Sequence, residues 1–428
     1  MSGDEPIRTG NHAITPADID PDAFKVLRRL SQFGYHAYLV GGGVRDLLLG
    51  RAPKDFDIAT SARPSEIRRL FRNCRLIGRR FRLAHICFAG GKVIEVATFR
   101  AAPDHDDDDG PIRDDNEFGT PATDAVRRDF TVNALFYDPV TDEVIDYVGG
   151  LEDLADRRIR TIGDAPLRFR EDPVRILRAV KFAARLGLEP DAETRAAILT
   201  ERYSLRKAAV PRLLEEIVRM LWQGAAARSY ELMAELGLLE LLLPEIAGFL
   251  GRPAEEPWKP LRGLLHALDR RHNGEQQHSM GVLLAVLYWP LYQAIIAELP
   301  NPDGPKLRKL AETLVAPAAV RLRIPRREIA TLIAALEGQV RFEQARRRKN
   351  TRVAFARSST FPGVLDLFEL RREAEPISSE QVAALHMLAR ESPADTGDFA
   401  ALSDFDPFEE DTEGEGEPGQ RRRRRRRR

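Results

Sequence analysis

From about Arg168 to Arg357 the apolar patterns are almost entirely helical, with no alternating strand of any length, whereas the residues before Arg168 mix short strand-like runs with short helical ones. This division constrains the fold more than any other feature of the 428 residues. It predicts an α+β chain in which an α/β head with a small mixed sheet carries a long all-α neck and body. Apolar stripes such as Leu232, Leu236, Leu239 and Leu243 mark the body helices. Residues 401–428 are of low complexity, with eight acidic residues from Asp404 to Glu417 and then eight arginines, Arg421–Arg428, and are expected to be disordered. The boundaries that follow are 22–164 for the head, 165–245 for a neck, 246–400 for the body and 401–428 for the tail.

Within the head, apolar residues at helical spacing (Phe24, Leu27, Leu30) predict a helix over Asp22–Phe33 that stops at Gly34. Ala37–Val40 reads as a strand, Gly41-Gly42-Gly43 as a tight loop, Val44–Leu49 as a short helix and Lys54–Thr60 as a second strand. A helix over Pro64–Phe71 follows, then a hairpin of Ala84–Ala89 and Lys92–Thr98 around Gly90-Gly91. Ala101–Thr120, with its run Asp106–Asp109, is too charged and too poor in apolar residues to pack and reads as a mobile loop.

Two cysteines, Cys74 and Cys87, exclude a disulfide-stapled scaffold and a four-thiol zinc site, and suit a reducing, cytoplasmic setting. The first thirty residues lack the apolar core of a signal peptide. The most apolar window, Gly281–Ala297, is short for a membrane span and interrupted by Pro290 and Gln293, so it reads as a buried core helix and no membrane insertion is expected.

The chemistry gathers around Lys54-Asp55-Phe56-Asp57-Ile58. In a strand, the period of two puts Asp55 and Asp57 on one face, and two carboxylates so close suit Mg²⁺ bridging a substrate's phosphates. Just upstream, Gly41-Gly42-Gly43 joins a strand to a helix start, where backbone amides and the positive helix end can hold phosphate oxygens, and Arg45 in the first turn can clamp the same group. Two candidates offer a third carboxylate: Asp129, beside Arg128 in the run Arg127–Leu135, and Glu95 in Ile94-Glu95-Val96. Asp172 reads as an N-cap with Pro173 at the first helical position. Arg175 and Arg178 then share a polar face opposite Ile176, Leu177 and Val180, where planar donors can pair with a base edge. His85, between apolar neighbours on a hairpin strand, reads as a hydrogen-bonded core histidine without a catalytic role, and His105-Asp106 stands isolated in the acidic loop. From Pro305 to Arg357 fourteen Lys/Arg face four Asp/Glu, with Phe342 and Phe355 interleaved, which suits a surface tracking an RNA backbone.

Taken together, Tyr38–Gly50, the Asp55/Asp57 pair, Ile94–Arg100, Arg127–Leu135 and Arg168–Ala179 closely resemble the class II nucleotidyltransferases, which comprise tRNA CCA-adding enzymes and bacterial poly(A) polymerases. The resemblance covers about residues 22–250. It implies a nucleotidyltransferase-type head in which Asp55 and Asp57 bind catalytic magnesium and Asp129 is the third active-site carboxylate, with Glu95 in reserve. It also implies that Gly42, Arg45 and Arg128 act on the triphosphate, and that Asp172, Arg175 and Arg178 in the neck select the incoming base.

The stretch Leu76–Ile86, with Arg79-Arg80-Phe81-Arg82, looks like the segment that marks the bacterial poly(A) polymerases, and Arg323–Arg327, the basic run through Arg357 and the arginine tail resemble the same subgroup. The resemblance therefore implies template-independent addition of AMP from ATP to RNA 3′ ends. ATP and RNA would be the ligands, and the tail an arm for RNA or for RNA-turnover proteins. A CCA- or A-adding enzyme acting on tRNA is the nearest alternative, and a non-catalytic RNA-binding protein the alternative of another class.

Overall fold

The computed structural model describes residues 5–78, 83–101, 118–272, 278–300, 303–345 and 358–376. Outside the described residues lie Arg79–Arg82, His105, the acidic run Asp106–Asp109, the basic run 346–357 with Phe355, and the whole of 401–428.

The head is built on one eight-stranded sheet, β1 (Ile7–Thr9), β2 (Ala37–Val40), β3 (Asp57–Thr60), β4 (Cys74–Ile77), β5 (Leu83–Cys87), β6 (Val93–Thr98), β7 (Leu135–Asp138) and β8 (Glu143–Asp146), in the order β1-β8-β7-β2-β3-β6-β5-β4. Only β3 and β6 run parallel, so the sheet is mixed as expected. Alternation sends Ile58, Val96, Ala84 and Ile86 into the main core, which they share with Ala23, Val26, Leu27 and Leu30 of helix α1 (Pro21–Gln32). Asp20 starts that helix by accepting hydrogen bonds from the Asp22 and Ala23 amides, and Gly34, at φ 83°, ends it. On the opposite sheet face Tyr38, Val40, Phe99 and Phe136 form a smaller aromatic cluster.

Two head elements differ from expectation. The strand expected over Lys54–Thr60 begins only at Asp57, because β2 ends at Val40, whose partner is Asp57, and the chain then turns away at Gly41; Asp55 has no strand to pair with. The hairpin carries a further antiparallel strand, β4, so β5 is interior. Helices α2 (Gly42–Leu48) and α3 (Pro64–Leu70) lie close to their expected bounds.

Beyond α4 (Pro121–Val126) and α5 (Gly150–Ala155), the chain becomes helical: α6 (Ala165–Glu171), α7 (Val174–Leu186), α8 (Ala192–Glu201) and α9 (Val210–Trp222) lead into further helices ending with Phe361–Ala374. The apolar helix Met280–Ala297 is buried from Gly281 through Pro290 and forms the centre of the body. Part of the charge of the basic stretch is compensated, since Arg308 and Arg341 pair with Glu312 and Glu337 within it and Arg321 with Glu245 outside it.

Candidate active site

Strand β2 runs into Gly41, whose φ of 70° and ψ of −132° only glycine adopts readily, and its amide donates to the Leu135 carbonyl at 3.1 Å. The helix then starts at Gly42, two residues earlier than its sequence pattern suggests. Each glycine admits something different. A Cβ at Gly41 would stand 3.0 Å from the Arg128 guanidinium, at Gly42 3.4 Å from that of Arg45, and at Gly43 3.4 Å from the Asp55 carbonyl oxygen. The loop therefore draws two arginines and the first aspartate against one helix start.

Asp57 opens β3, one residue before the Ile58–Val96 pair, which puts Glu95 of the parallel strand β6 directly beside it. Withdrawal from solvent, then the charges of Glu95 and Asp55, push the Asp57 carboxyl up to about 6 against the opposing pull of Arg128. Such crowding is what a divalent cation relieves. Among the described residues no three His, Cys, Asp or Glu side chains form a complete cage. The donor set nevertheless fits Mg²⁺, which binds through one or two carboxylates with substrate phosphates supplying the rest. His85 departs from expectation: it faces the open side of the sheet, with Nε2 3.3 Å from Glu95 Oε1, and is not a core residue.

Asp129 also departs from expectation. Instead of joining Asp55 and Asp57, its carboxylate is gripped by Arg178 (Nε–Oδ2 2.8 Å, Nη2–Oδ2 2.6 Å), by Asn133 Nδ2 at 3.0 Å and by the Phe130 amide at 2.9 Å. Burial opposes ionisation there, but the Arg178 charge and these donors outweigh it and hold the carboxyl below its usual range. It is followed by a 3₁₀ turn, Thr131–Asn133, and by β7.

Arg45 is not the free clamp the motif suggested. Its guanidinium is buried, donates to Asp46 Oδ1 from Nε at 2.9 Å and from Nη2 at 2.7 Å, reaches Asn133 Oδ1 with Nη1, and lies 5.2 Å from the Phe182 ring centroid. Arg128 is fastened to Asp124 (2.9 and 3.2 Å) and to the Asn133 carbonyl (3.3 Å). Arg168 donates to the Arg127 and Arg128 carbonyls at 2.8 and 2.9 Å, and so ties the neck to that turn.

At the neck, Asp172 caps the end of α6, and α7 begins at Val174, one residue later than a Pro173 start. Both Asp172 oxygens accept from Arg212, at 3.0 and 2.8 Å. Arg175 donates through Nη1 to the Arg168 carbonyl at 3.3 Å and to Glu171 Oε2 at 3.5 Å.

All the expected site residues except Glu95 nonetheless line one cavity of about 1250 Å³: Gly41–Gly43, Arg45, Asp55, Asp57, Arg128, Asp129, Asp172, Arg175 and Arg178. Sequence reading missed Lys54, Lys181, Phe182, Arg185, Arg212, Arg219 and Trp222, which also line it. Their signal was present as polar stripes at helical spacing, Arg178, Lys181 and Arg185 on α7 and Arg212, Arg219 and Gln223 on or beside α9, but only docking shows that the stripes face each other. Lys181 is pulled down to about 8 by burial, although Glu216 Oε2 lies 2.5 Å from its ammonium. Nine arginines and lysines against five aspartates line the cavity, a balance suited to a polyanion.

The family described as "Poly A polymerase head domain" matches residues 37–160, and "Probable RNA and SrmB- binding site of polymerase A" matches 187–250. A poly(A) polymerase I of Escherichia coli O6:H1 is 40% identical over 378 residues, covering 85% of this chain and 81% of that protein. A CCA-adding enzyme of Geobacillus thermodenitrificans is 39% identical over 243 residues, or 55% of this chain and 58% of its own length. Among solved structures, the Bacillus stearothermophilus CCA-adding enzyme in complex with CTP superposes with a TM-score of 0.53 at 25% identity, over 87% of this chain and 93% of that one. With motif order, head topology and four-fifths coverage of a poly(A) polymerase I in agreement, the chain belongs to the bacterial poly(A) polymerase family, a branch of the class II nucleotidyltransferases.

Proposed function

We propose that this chain is a template-independent poly(A) polymerase that transfers AMP from ATP to RNA 3′ ends and thereby serves RNA polyadenylation and turnover in the cytoplasm. The carrying observation is that Asp55 and Asp57, the glycine loop and the base-facing Asp172 and Arg175 open onto one basic cavity. The poly(A) polymerase relatives extend over most of the chain, whereas the CCA-adding relative named above covers little more than half, which favours AMP addition over tRNA end repair.

In this reading the 22–164 head carries the chemistry, the 165–245 neck reads the base and the 246–400 body holds RNA. The RNA 3′-hydroxyl attacks the α-phosphorus in line, the new phosphodiester forms, and the bond to the β-phosphate breaks to release pyrophosphate. Asp55 and Asp57 would hold Mg²⁺, which when bound would supply positive charge to the transferring phosphoryl group and the attacking oxygen. The helix start at Gly42, with Arg128 held beside it, orients the triphosphate. Arg45 acts from behind, by fixing Asp46 and Asn133. Asp129 contributes through Arg178, which it aims into the cavity. Arg212 holds Asp172 and Glu171 holds Arg175, presenting a fixed donor–acceptor pattern to the adenine edge.

The test offers purified protein an oligo(A) primer or a tRNA lacking its CCA end, with ATP or CTP separately. Long tails from ATP alone support the reading, and efficient CTP incorporation on the tRNA transfers it to the CCA-adding branch. Asp55→Asn and Asp57→Asn are each expected to abolish turnover while the protein stays folded, because charge and not core volume is removed.

A further inference from the structure

Two large aromatic rings line the cavity, Phe182 and Trp222, and their surroundings differ. Phe182 is buried and taken up by the protein's own charges, with the cationic groups of Lys181, Arg178 and Arg45 at 5.0, 5.1 and 5.2 Å from its ring centroid. Trp222, the last residue of α9, is only partly buried against the main core, and the ammonium of Lys54 stands over its ring at 5.2 Å. The other two tryptophans, Trp258 and Trp289, are buried and donate their indole N–H groups to the Gly251 carbonyl at 3.1 Å and to Glu375 Oε1 at 2.9 Å. Among the described residues the Trp222 indole has no such acceptor. A flat apolar ring at the wall of a basic cavity, with a movable cation on it, offers what a nucleobase and its phosphate require.

Position decides which base it serves. Arg212, which fixes Asp172 for the incoming nucleotide, stands ten residues before Trp222 on α9, about 15 Å along the helix axis. Lys54 is exposed and immediately precedes Asp55, so the ring belongs to the end of the cavity where phosphoryl transfer takes place. The strand whose 3′-hydroxyl attacks there brings its last base to the same end. We propose that Trp222 is the stacking platform for the 3′-terminal base of the RNA primer, and that Lys54 leaves the indole face to pair with the phosphate on the 5′ side of that nucleotide. The inference rests on the nucleotidyltransferase reading above. Binding exchanges one cation–π contact for a charge-assisted phosphate contact and a base–indole stack. Every base has a π face, so such a platform suits growth of a tail from whatever base the RNA ends in.

The experiment compares the full-length protein with Trp222→Ala, Trp222→Phe and Lys54→Ala, on 5′-labelled oligo(A) and on the same RNA with an abasic 3′-terminal nucleotide. Fluorescence anisotropy without ATP gives RNA affinity, and extension of oligo(A) gives kcat and the KM for ATP. Trp222→Ala should bind oligo(A) about 10-fold more weakly, within the range of one base–aromatic stack, and the wild type should lose a similar factor when the terminal base is removed. On the abasic RNA the two proteins should agree within about two-fold. Trp222→Phe should keep most of the affinity, and Lys54→Ala should flatten log K against log[salt] by about 0.7, the value of one single-strand phosphate contact. An equal loss on both RNAs in Trp222→Ala overturns the proposal, because the indole would then only join neck to head through Lys54. A raised KM for ATP with unchanged RNA affinity also overturns it and moves the ring to the incoming adenine. An unchanged salt slope overturns the part given to Lys54. Should the wild-type chain make no poly(A), the parent reading falls, while the anisotropy arm still reports whether Trp222 holds a terminal base.

Discussion

Arg178 and Asp129 are 49 residues apart in the chain, yet Arg178 Nη2 lies 2.6 Å from Asp129 Oδ2 and Nε 2.8 Å from the same oxygen. The contact joins the neck helix α7 to the turn that follows the second arginine of Arg127-Arg128, so head and neck sides of the cavity share one ion pair. Arg178 also approaches Glu216 of α9 at 3.8 Å, which extends the link to the second wall.

Asp129→Asn should lower unfolding free energy by roughly 1–3 kcal/mol, the cost of depriving a charged donor of its partner, and should raise the KM for ATP. If Asp129 acts through Arg178, the double variant Asp129→Asn/Arg178→Ala will cost no more than the worse single change. Urea unfolding and kcat/KM measured around the cycle decide this, and additive losses would return Asp129 to an independent catalytic role.

A carboxyl raised to about 6 in the folded protein makes the cation-free fold less stable as pH rises from the ordinary aspartate range through 6, because the folded state holds that proton longer than the unfolded chain. Asp57→Asn should therefore stabilise the chelator-treated protein at pH 8 and not at pH 4, by about 1 kcal/mol or less given the solvent open to this side chain. Mg²⁺ added to the wild type near pH 6 should release a proton, and Asp57→Asn should abolish that release. Urea melts at the two pH values and titration in weakly buffered solution provide the readings.

At Gly41 an alanine would meet both an unfavourable backbone and the Arg128 guanidinium 3.0 Å from its Cβ. Gly41→Ala should cost about 1–3 kcal/mol of stability and weaken binding of an ATP analogue. Gly42→Ala, with its Cβ 3.4 Å from the Arg45 guanidinium at an ordinary helical position, should cost far less. Thermal unfolding and calorimetric binding compare the pair.

Arg212→Ala should release Asp172, whose two oxygens it now holds, and lower the preference for ATP over CTP in the same direction as Arg175→Ala. Competition between the two nucleotides on an oligo(A) primer measures it. A uniform loss for both nucleotides would assign Arg212 to the fold.

What depended on neighbours a few residues away was legible in the sequence. The strand Ala37–Val40, helix α1 with its Gly34 stop and the change from mixed to helical structure near Arg168 all follow from periodicity and turn chemistry, which act over one or two turns of chain. The sequence motifs also named the glycine loop, the two aspartates and the neck residues Asp172, Arg175 and Arg178 that line the cavity, but none of the wall from α9. Only the tertiary structure decided which charges meet. Arg45 is a buried partner of Asp46 and Asn133, Asp129 belongs to Arg178, Asp172 to Arg212 and Glu95 to His85. The start of β3 at Asp57 was set by where its partner β2 ends. Except for Asp46 beside Arg45, these partners lie from ten to eighty-eight residues apart in the chain. Charge acts through space and burial, and neither is defined until sheet and helices have docked.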